Sequence, residues 1–328
     1  MNLTFSALSD DATGAVWRQL FERSWPAYRR WYLSEGEEAR PTYLACRRAL
    51  ATHMPEFVPV WERLCGLAGG GDLAARFLSL YRPPRYLSGC SQAVWTGATP
   101  LLVRNYDYSP FAFDGVVLRD EWMGRAVMGT SDCLVGLVDG VNDAGLAISL
   151  TFGGRSAVGD GFGVPIILRY VLQTCTTAAE AAETLTRIPT HMAYNVTVLD
   201  AERRWATVYL APDRAPLVTR AAVATNHQER VELVHHARAT ATVERERFLL
   251  QRLTHHPESQ ASFIAAFQKP PLYSLAFDRG FGTLYTAAYW AKRRTMALCW
   301  PGQRWDLKLA DFVPGTRTVS YPLVAERA

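Results

Sequence analysis

The spacing of hydrophobic and polar positions changes character once along this chain, near residue 85. Before that point it is helical. The stretch "GAVWRQLFERSWPAYRRWYL" sets Trp17, Leu20, Phe21, Trp25 and Tyr28 three or four residues apart, the repeat of one helix face. Pro26 inside the stripe predicts an interruption there. Two further helices are read in "YLACRRALATHM" and "EFVPVWERLCGLA", and a last one in "LAARFLSLY" after the break "GGGD". That glycine run lacks the GK[ST] ending of a phosphate loop and is read as a turn. Residues 1–82 are therefore expected to be helical.

Beyond residue 85 the period shortens. "AVWTG", "PLLVRNYDY", "GVVLRDEW", "CLVGLVDGV" and "GLAISLTF" are short runs of branched and aromatic residues parted by Gly, Asp and Asn, the signature of strands joined by tight turns. "VPIILRYVLQTC" and "TAAEAAETLTRI" return to helical spacing, the second opening on a Thr177-x-x-Glu180 capping box. Strands recur in "NVTVLD", "WATVYLA" and "VTRAAVAT", helices in "TVERERFLLQRL" and "ASFIAAFQ", and a closing strand pair in "GTLYTAAYW" and "TMALCW". Strands, helices and strands again predict an α+β fold with helices layered on mainly antiparallel sheets.

Composition narrows the classes. With 328 residues, 49% hydrophobic and 20% charged, the chain can bury a large core. The net charge of +4 is small and dispersed, which argues against nucleic acid. Arg23, Arg29 and Arg30 among the aromatics of the first helix read as its solvated side. Six cysteines, at 46, 65, 90, 133, 175 and 299, form no CxxC pair, which suits thiols in a reducing compartment. The start lacks a signal-peptide pattern and no apolar run reaches the roughly 18 residues of a membrane span. A cytoplasmic protein without membrane contact is expected.

The candidate chemistry is sparse. HExxH, zinc-type cysteine pairs, GxGxxG before a helix and a GxSxG elbow are all missing. No metal or cofactor is expected. The pairs His235-His236 and His255-His256 stand in polar surroundings and read as solvated surface. Attention falls on "YLSGCSQAVW", where Gly89 precedes Cys90. A cysteine nucleophile needs a base, and His227 in "ATNHQ" is one candidate. A cut between Gly89 and Cys90 would supply another. The freed α-amine has an ordinary pKa of about 7.7–8.0 against about 8.5 for a thiol, close enough to exchange a proton near neutrality. Cysteine can start such a cut by attacking the preceding carbonyl, and glycine there leaves that carbonyl accessible. Arg104 and Asp107 follow in "LLVRNYDY", and a hairpin after "QAVWTG" would return both beside Cys90. Asp107 would then hold the new ammonium, and Arg104 would favour thiolate. An ordinary strand-end ion pair is the competing reading.

"SGCSQAVW", "RNYDY", "GVNDAGLAISL", "TNHQ" and "TVERERFLLQRL", in this order, resemble the autoproteolytic cysteine acyltransferase/hydrolase family typified by isopenicillin N acyltransferase. That family is related to the choloylglycine hydrolases within the N-terminal nucleophile hydrolases. The resemblance spans most of the chain. It implies a four-layer αββα sandwich with a helical N-terminal leader, cut into residues 1–89 and 90–328. These would be an α chain of about 10 kDa and a catalytic β chain of about 27 kDa that stay associated.

By the same resemblance Cys90 is the nucleophile and, through its α-amine, the base. Arg104 and Asp107 stand beside it, and Asn226 donates to the oxyanion. Arg245 lies near the site, with Arg247 close enough to compete for that register. Where bile-salt-hydrolysing relatives carry a second oxyanion asparagine, this chain has Thr151. Tyr108, Phe111, Phe113 and Trp122 either line an acyl site or pack the sandwich, the latter being favoured here. The implied partners are a small-molecule amide or acyl donor and an acyl-acceptor amine. The reaction is amide hydrolysis at a linear, non-β-lactam C–N bond, or acyl transfer, through an acyl-Cys90 thioester. The competing readings are an uncut Cys90–His227 hydrolase and a non-catalytic binding protein that retains the fold.

Overall fold

The leader does not begin as a helix. In the structure, a computed structural model that describes residues 1–255 and 258–322, Asn2–Ser9 form strand β1. The cause is local: Phe5 and Ala7 alternate with polar residues and are buried, a period of two. Helix α1 (Ala15–Tyr32) follows and runs through Pro26 without a break, because its buried side carries Trp17, Leu20 and Phe21. The leader continues with α2 (Tyr43–His53), α3 (Val58–Leu67) and α4 (Asp72–Leu78).

Next come β2 (Gly89–Trp95), β3 (Leu101–Tyr108), β4 (Val116–Asp120), β5 (Val127–Asp132), β6 (Gly136–Asn142) and β7 (Ala147–Phe152). Helices α5 (Val164–Thr174) and α6 (Ala178–Arg187) precede β8 (Tyr194–Leu199), β9 (Trp205–Leu210), β10 (Leu217–Thr219) and β11 (Val223–Ala224). Then follow α7 (Val234–Ala239), α8 (Thr242–His255), α9 (Gln260–Ala266), β12 (Leu275–Ala276), β13 (Phe281–Trp290), β14 (Thr295–Trp300), β15 (Gln303–Lys308) and β16 (Gly315–Ser320). Several of these carry too weak a pattern to be read from sequence. β5 is interrupted by Gly129, while β15 and β16 are edge strands with mostly exposed residues. At the start of α6, Thr177 accepts from the Glu180 N–H as a capping box requires, but the Glu180 carboxylate turns to Thr176.

The strands form two sheets. Sheet one runs β10-β9-β8-β7-β6-β5-β4-β1-β16, and sheet two runs β11-β2-β3-β13-β14-β15 with β12 on β13. The segment "VTRAAVAT", expected as one strand, divides: β10 ends sheet one and β11 begins the edge of sheet two. Helices α5 and α6 cover sheet one, and α8 covers the far side of sheet two. The order is αββα. The main core lies between the sheets and beneath the leader. A second core, with Ala93, Val103, Leu249 and Phe263, lies between sheet two and its helices. Strand β1 ties the leader into the body, pairing antiparallel with β16 and parallel with β4. Among the described residues no helix is long and apolar enough to cross a membrane.

Candidate active site

β2 and β3 form the antiparallel pair that positions the site. The register sets Gly89 opposite Asp107, Cys90 opposite Tyr106 and Gln92 opposite Arg104. Side chains alternate, so Cys90 and Arg104 point between the sheets, while Gly89, Ser91 and Asp107 point toward the helices. Two buried clusters result, one on each side of the Cys90 backbone.

Between the sheets, the Arg104 guanidinium donates to Cys90 Sγ at 3.4 Å and to Asp139 at 2.5 Å. Both members of the ion pair are fully buried. Asp139 also accepts from the hydroxyls of Tyr285 (2.9 Å) and Tyr289 (2.5 Å) on β13. Arg104 stacks over the Tyr106 ring at 4.5 Å. Burial pulls the Arg104 guanidinium down, but the potential of Cys90, Tyr285 and Asp139 outweighs it and its pKa moves well up. Arg104 thus holds a permanent positive charge against the sulfur.

Toward the helices, Arg245 of α8 donates to Ser91 Oγ (2.9 Å), to Asp107 (3.0 Å) and to Asn226 Oδ1 (2.7 Å). The Thr283 hydroxyl donates to the other Asp107 oxygen at 2.7 Å. Burial raises the Asp107 carboxyl to about 6, although Arg245 and Thr283 oppose it, and burial lowers the Arg245 guanidinium. Arg247 is exposed, so Arg245 is the arginine that faces the centre.

Asn226 joins the two clusters. Its Oδ1 accepts from the Cys90 N–H at 2.9 Å, and its Nδ2 donates one hydrogen to the Phe152 carbonyl at 3.2 Å. The loop carrying it is clasped on both sides. The Asn226 N–H goes to Thr242, and the Thr225 carbonyl accepts from Thr151 (2.7 Å) and Asn195 (2.8 Å). Gly154 has φ of +66° and passes so close that a Cβ would lie 2.2 Å from the Asn226 carbonyl oxygen, so only glycine fits there.

The structure brings together Gly89, Cys90, Arg104, Asp107, Asn226 and Arg245. Thr151 lies nearby; its one hydroxyl hydrogen goes to the Thr225 carbonyl, so the hydroxyl positions the Asn226 loop. His227 points elsewhere. Its Nδ1 meets Thr242 at 3.0 Å and its Nε2 meets Glu246 at 3.2 Å, so neither nitrogen engages Cys90. His235 is exposed as expected, whereas His236 is buried: its Nε2 lies 3.3 Å from the Ser88 carbonyl, since α7 packs on the segment before Cys90. The pair His255–His256 lies outside the described side chains. Asp139, Thr283 and Asn195 belong to no sequence motif. The signal available was a lone Asp or Asn inside an apolar strand run ("LVDGV", "YNVTVL"), since a buried charge or amide requires partners.

A cavity of about 480 Å³ opens next to this centre, between β1, α1 and the β3–β4 connection. Tyr108, Phe111 and Phe113 line it with Tyr28, Trp31 and Tyr86, so these three aromatics do more than pack the sandwich. Trp122 does pack, beneath Arg169 at 4.0 Å and with its indole N–H on Asp10. Cys90 is not among the lining residues. The Tyr106–Tyr108 stack, with ring centroids 5.5 Å apart, runs from the Arg104 guanidinium to the cavity wall.

Comparison with known proteins gives three findings. The model of the family described as "Acyl-coenzyme A:6-aminopenicillanic acid acyl-transferase" matches residues 94–305. No sequence match to a curated protein was found. In three dimensions the chain is similar to penicillin V acylase from Agrobacterium tumefaciens, at 16% identity and a TM-score of 0.50 over 68% of this chain and 87% of that one. It also aligns with a mutant of conjugated bile acid hydrolase from Clostridium perfringens (12%, TM-score 0.46, 73% and 100% of the two chains). A third alignment is with the Caenorhabditis elegans ortholog of N-acylethanolamine-hydrolyzing acid amidase (14%, 0.44, 62% and 93%). The two-sheet architecture is that of the N-terminal nucleophile hydrolase fold.

Proposed function

Because the chain belongs to the acyl-coenzyme A:6-aminopenicillanic acid acyl-transferase family, we propose that it is an autoprocessed cysteine enzyme acting on linear amide or peptide-like bonds. The observation that carries this reading is the double grip on Cys90. Its sulfur meets Arg104 and its N–H meets Asn226 Oδ1, within a buried set that includes Asp107. A buried backbone N–H needs some acceptor, but a structural cysteine has no need of a buried cation on its sulfur.

In the first step Cys90 Sγ attacks the Gly89 carbonyl carbon. The C–N bond breaks as the nitrogen takes the thiol proton, leaving a thioester and a free α-amine. Water then releases Gly89 as a carboxylic acid and restores the thiol. The new ammonium has Asn226 Oδ1 beside it and Asp107 opposite Gly89 in the ladder, so its charge is met by acceptors already in place. In turnover the α-amine takes the thiol proton, sulfur attacks the substrate carbonyl, and the proton passes to the leaving amine. The remaining hydrogen of Asn226 Nδ2 serves the oxyanion. Water then attacks the thioester carbonyl, the S–C bond breaks, and the acid and the Cys90 thiol are released. Water needs no binding site of its own, so hydrolysis is favoured over transfer to an amine.

The two products of the cut are expected to stay together, because β1 is hydrogen-bonded on both edges inside sheet one. A cytoplasmic setting agrees with the six cysteines, all free thiols. Intact mass and N-terminal sequencing of wild type beside Cys90→Ala test the proposal. Fragments of about 10 and about 27 kDa that co-purify, the larger beginning Cys-Ser-Gln, with the variant uncut, are expected. A single stable chain in both removes the α-amine mechanism.

A further inference from the structure

The segment that precedes Cys90 is held by contacts that the proposed chemistry does not itself require. His236 is 9% exposed, and its Nε2 lies 3.3 Å from the Ser88 carbonyl. A carbonyl only accepts, so the ring carries its hydrogen on Nε2, and Nδ1 is left buried without a partner. Phe152 and Phe281 hold the ring edge-on, at 5.2 and 5.6 Å between centroids. The Thr240 hydroxyl donates to the His236 carbonyl at 2.8 Å. A side chain on Gly89 would start 3.3 Å from both Thr240 Cγ2 and Asp107 Cβ, and 3.5 Å from Phe281. One donor and one steric wall therefore enclose Ser88–Gly89.

The thioester formed during processing has Ser88–Gly89 as its acyl group and a free Cys90 α-amine. An acyl-enzyme made from a substrate has the same connectivity. Whatever holds the first acyl group is placed to hold the next.

Resting on the autoprocessing reading above, we infer that His236, Thr240 and Phe281 build an acyl-side subsite for donors of the N-acylglycyl class, R–CO–NH–CH₂–CO–NHR′. The donor's amide carbonyl takes the place of the Ser88 carbonyl on His236 Nε2. Its methylene takes the place of Gly89 Cα against Thr240 and Asp107, where a branched carbon meets the wall. Sulfur bonds to the glycyl carbonyl carbon and the C–N bond to the amine breaks. The amine leaves with the relayed thiol proton, and water releases the N-acylglycine and the thiol.

The test uses the purified full chain and three p-nitroanilides: N-acetylseryl-glycyl, N-acetylseryl-alanyl and hexanoyl, the last unbranched but without the inner amide. Wild type is expected to prefer the glycyl over the alanyl substrate by about tenfold in kcat/KM, the penalty of one methyl group against a packed wall. His236→Ala is expected to lower the glycyl-to-hexanoyl ratio about three- to tenfold, the worth of one neutral hydrogen bond, and His236→Gln, which keeps an N–H donor, to restore it. Equal glycyl and alanyl rates, or a His236→Ala loss that is the same on both unbranched substrates, overturn the subsite. Mass spectrometry of the same samples separates the two failures. A processed wild type that ignores the glycyl feature refutes the subsite alone, and an uncut wild type refutes the Cys90 reading beneath it. The wild-type panel decides even where His236→Ala does not fold.

Discussion

Cys90 has an Arg–Asp pair on each side, and the two pairs are built for different work. Arg104 and Asp139 lie between the sheets, fully buried, with two tyrosine hydroxyls completing the carboxylate's shell. Asp107 and Arg245 lie under the helices, where burial lifts the carboxyl to about 6 and lowers the guanidinium. The first pair offers the sulfur a charge that does not vary with pH. The second, on the proposed reading, keeps near the Cys90 nitrogen a carboxylate that burial has raised to about 6 and that can change its charge. Arg104 and Asp107 are three residues apart on one strand, and an odd separation is enough to send them to opposite faces. Residue types alone therefore do not set the role of an ion pair: its neighbours and its depth do.

The largest effect is expected from breaking the sulfur-side pair. Asp139→Ala strips the buried Arg104 charge of its counterion and should cost about 3–5 kcal/mol of stability, read by denaturant unfolding. Processing of this variant should fall with it, because the guanidinium is freed to leave the sulfur. Asn226→Ala removes the group that joins the two sides. A loss of about 10²–10³ in kcat is expected, the usual worth of one oxyanion donor.

The amine side is tested by pH. The folded Asp107 pKa of about 6 exceeds its unfolded value of 3.8, so between the two the native state holds more protons. Its contribution to stability is full below about pH 3.8 and is lost as pH rises through about 6. Asp107→Asn should abolish that segment of the stability profile, while the sulfur-side variant retains it. Thr283 donates to the carboxylate and favours its charged form, so Thr283→Val should move the acid limb of kcat/KM upward. An unmoved limb would mean that Asp107 is not the group titrating. The smallest effect belongs to a residue in neither cluster. His227→Ala should change turnover only a few-fold, because its ring meets Thr242 and Glu246; complete loss of activity would revive the cysteine–histidine pairing.

Much of this was legible in the chain. Periods of two and of three to four marked most strands and helices, and a hairpin from "QAVWTG" to "RNYDY" brings Arg104 and Asp107 to Cys90. These signals are local: a strand's alternation or a turn's length is decided by residues that adjoin one another. Only the tertiary structure decided what faces those residues across the sandwich. Asp139 reaches Arg104 from sheet one, Thr283 reaches Asp107 from β13, and His236 closes on Ser88 from a six-residue helix too short to announce itself by period. The strand β1 has its alternation in plain view, but its place between β4 and β16 depends on a partner more than 300 residues away. Alternation tells a side chain which way to point; the packing of one sheet on another determines what it meets there.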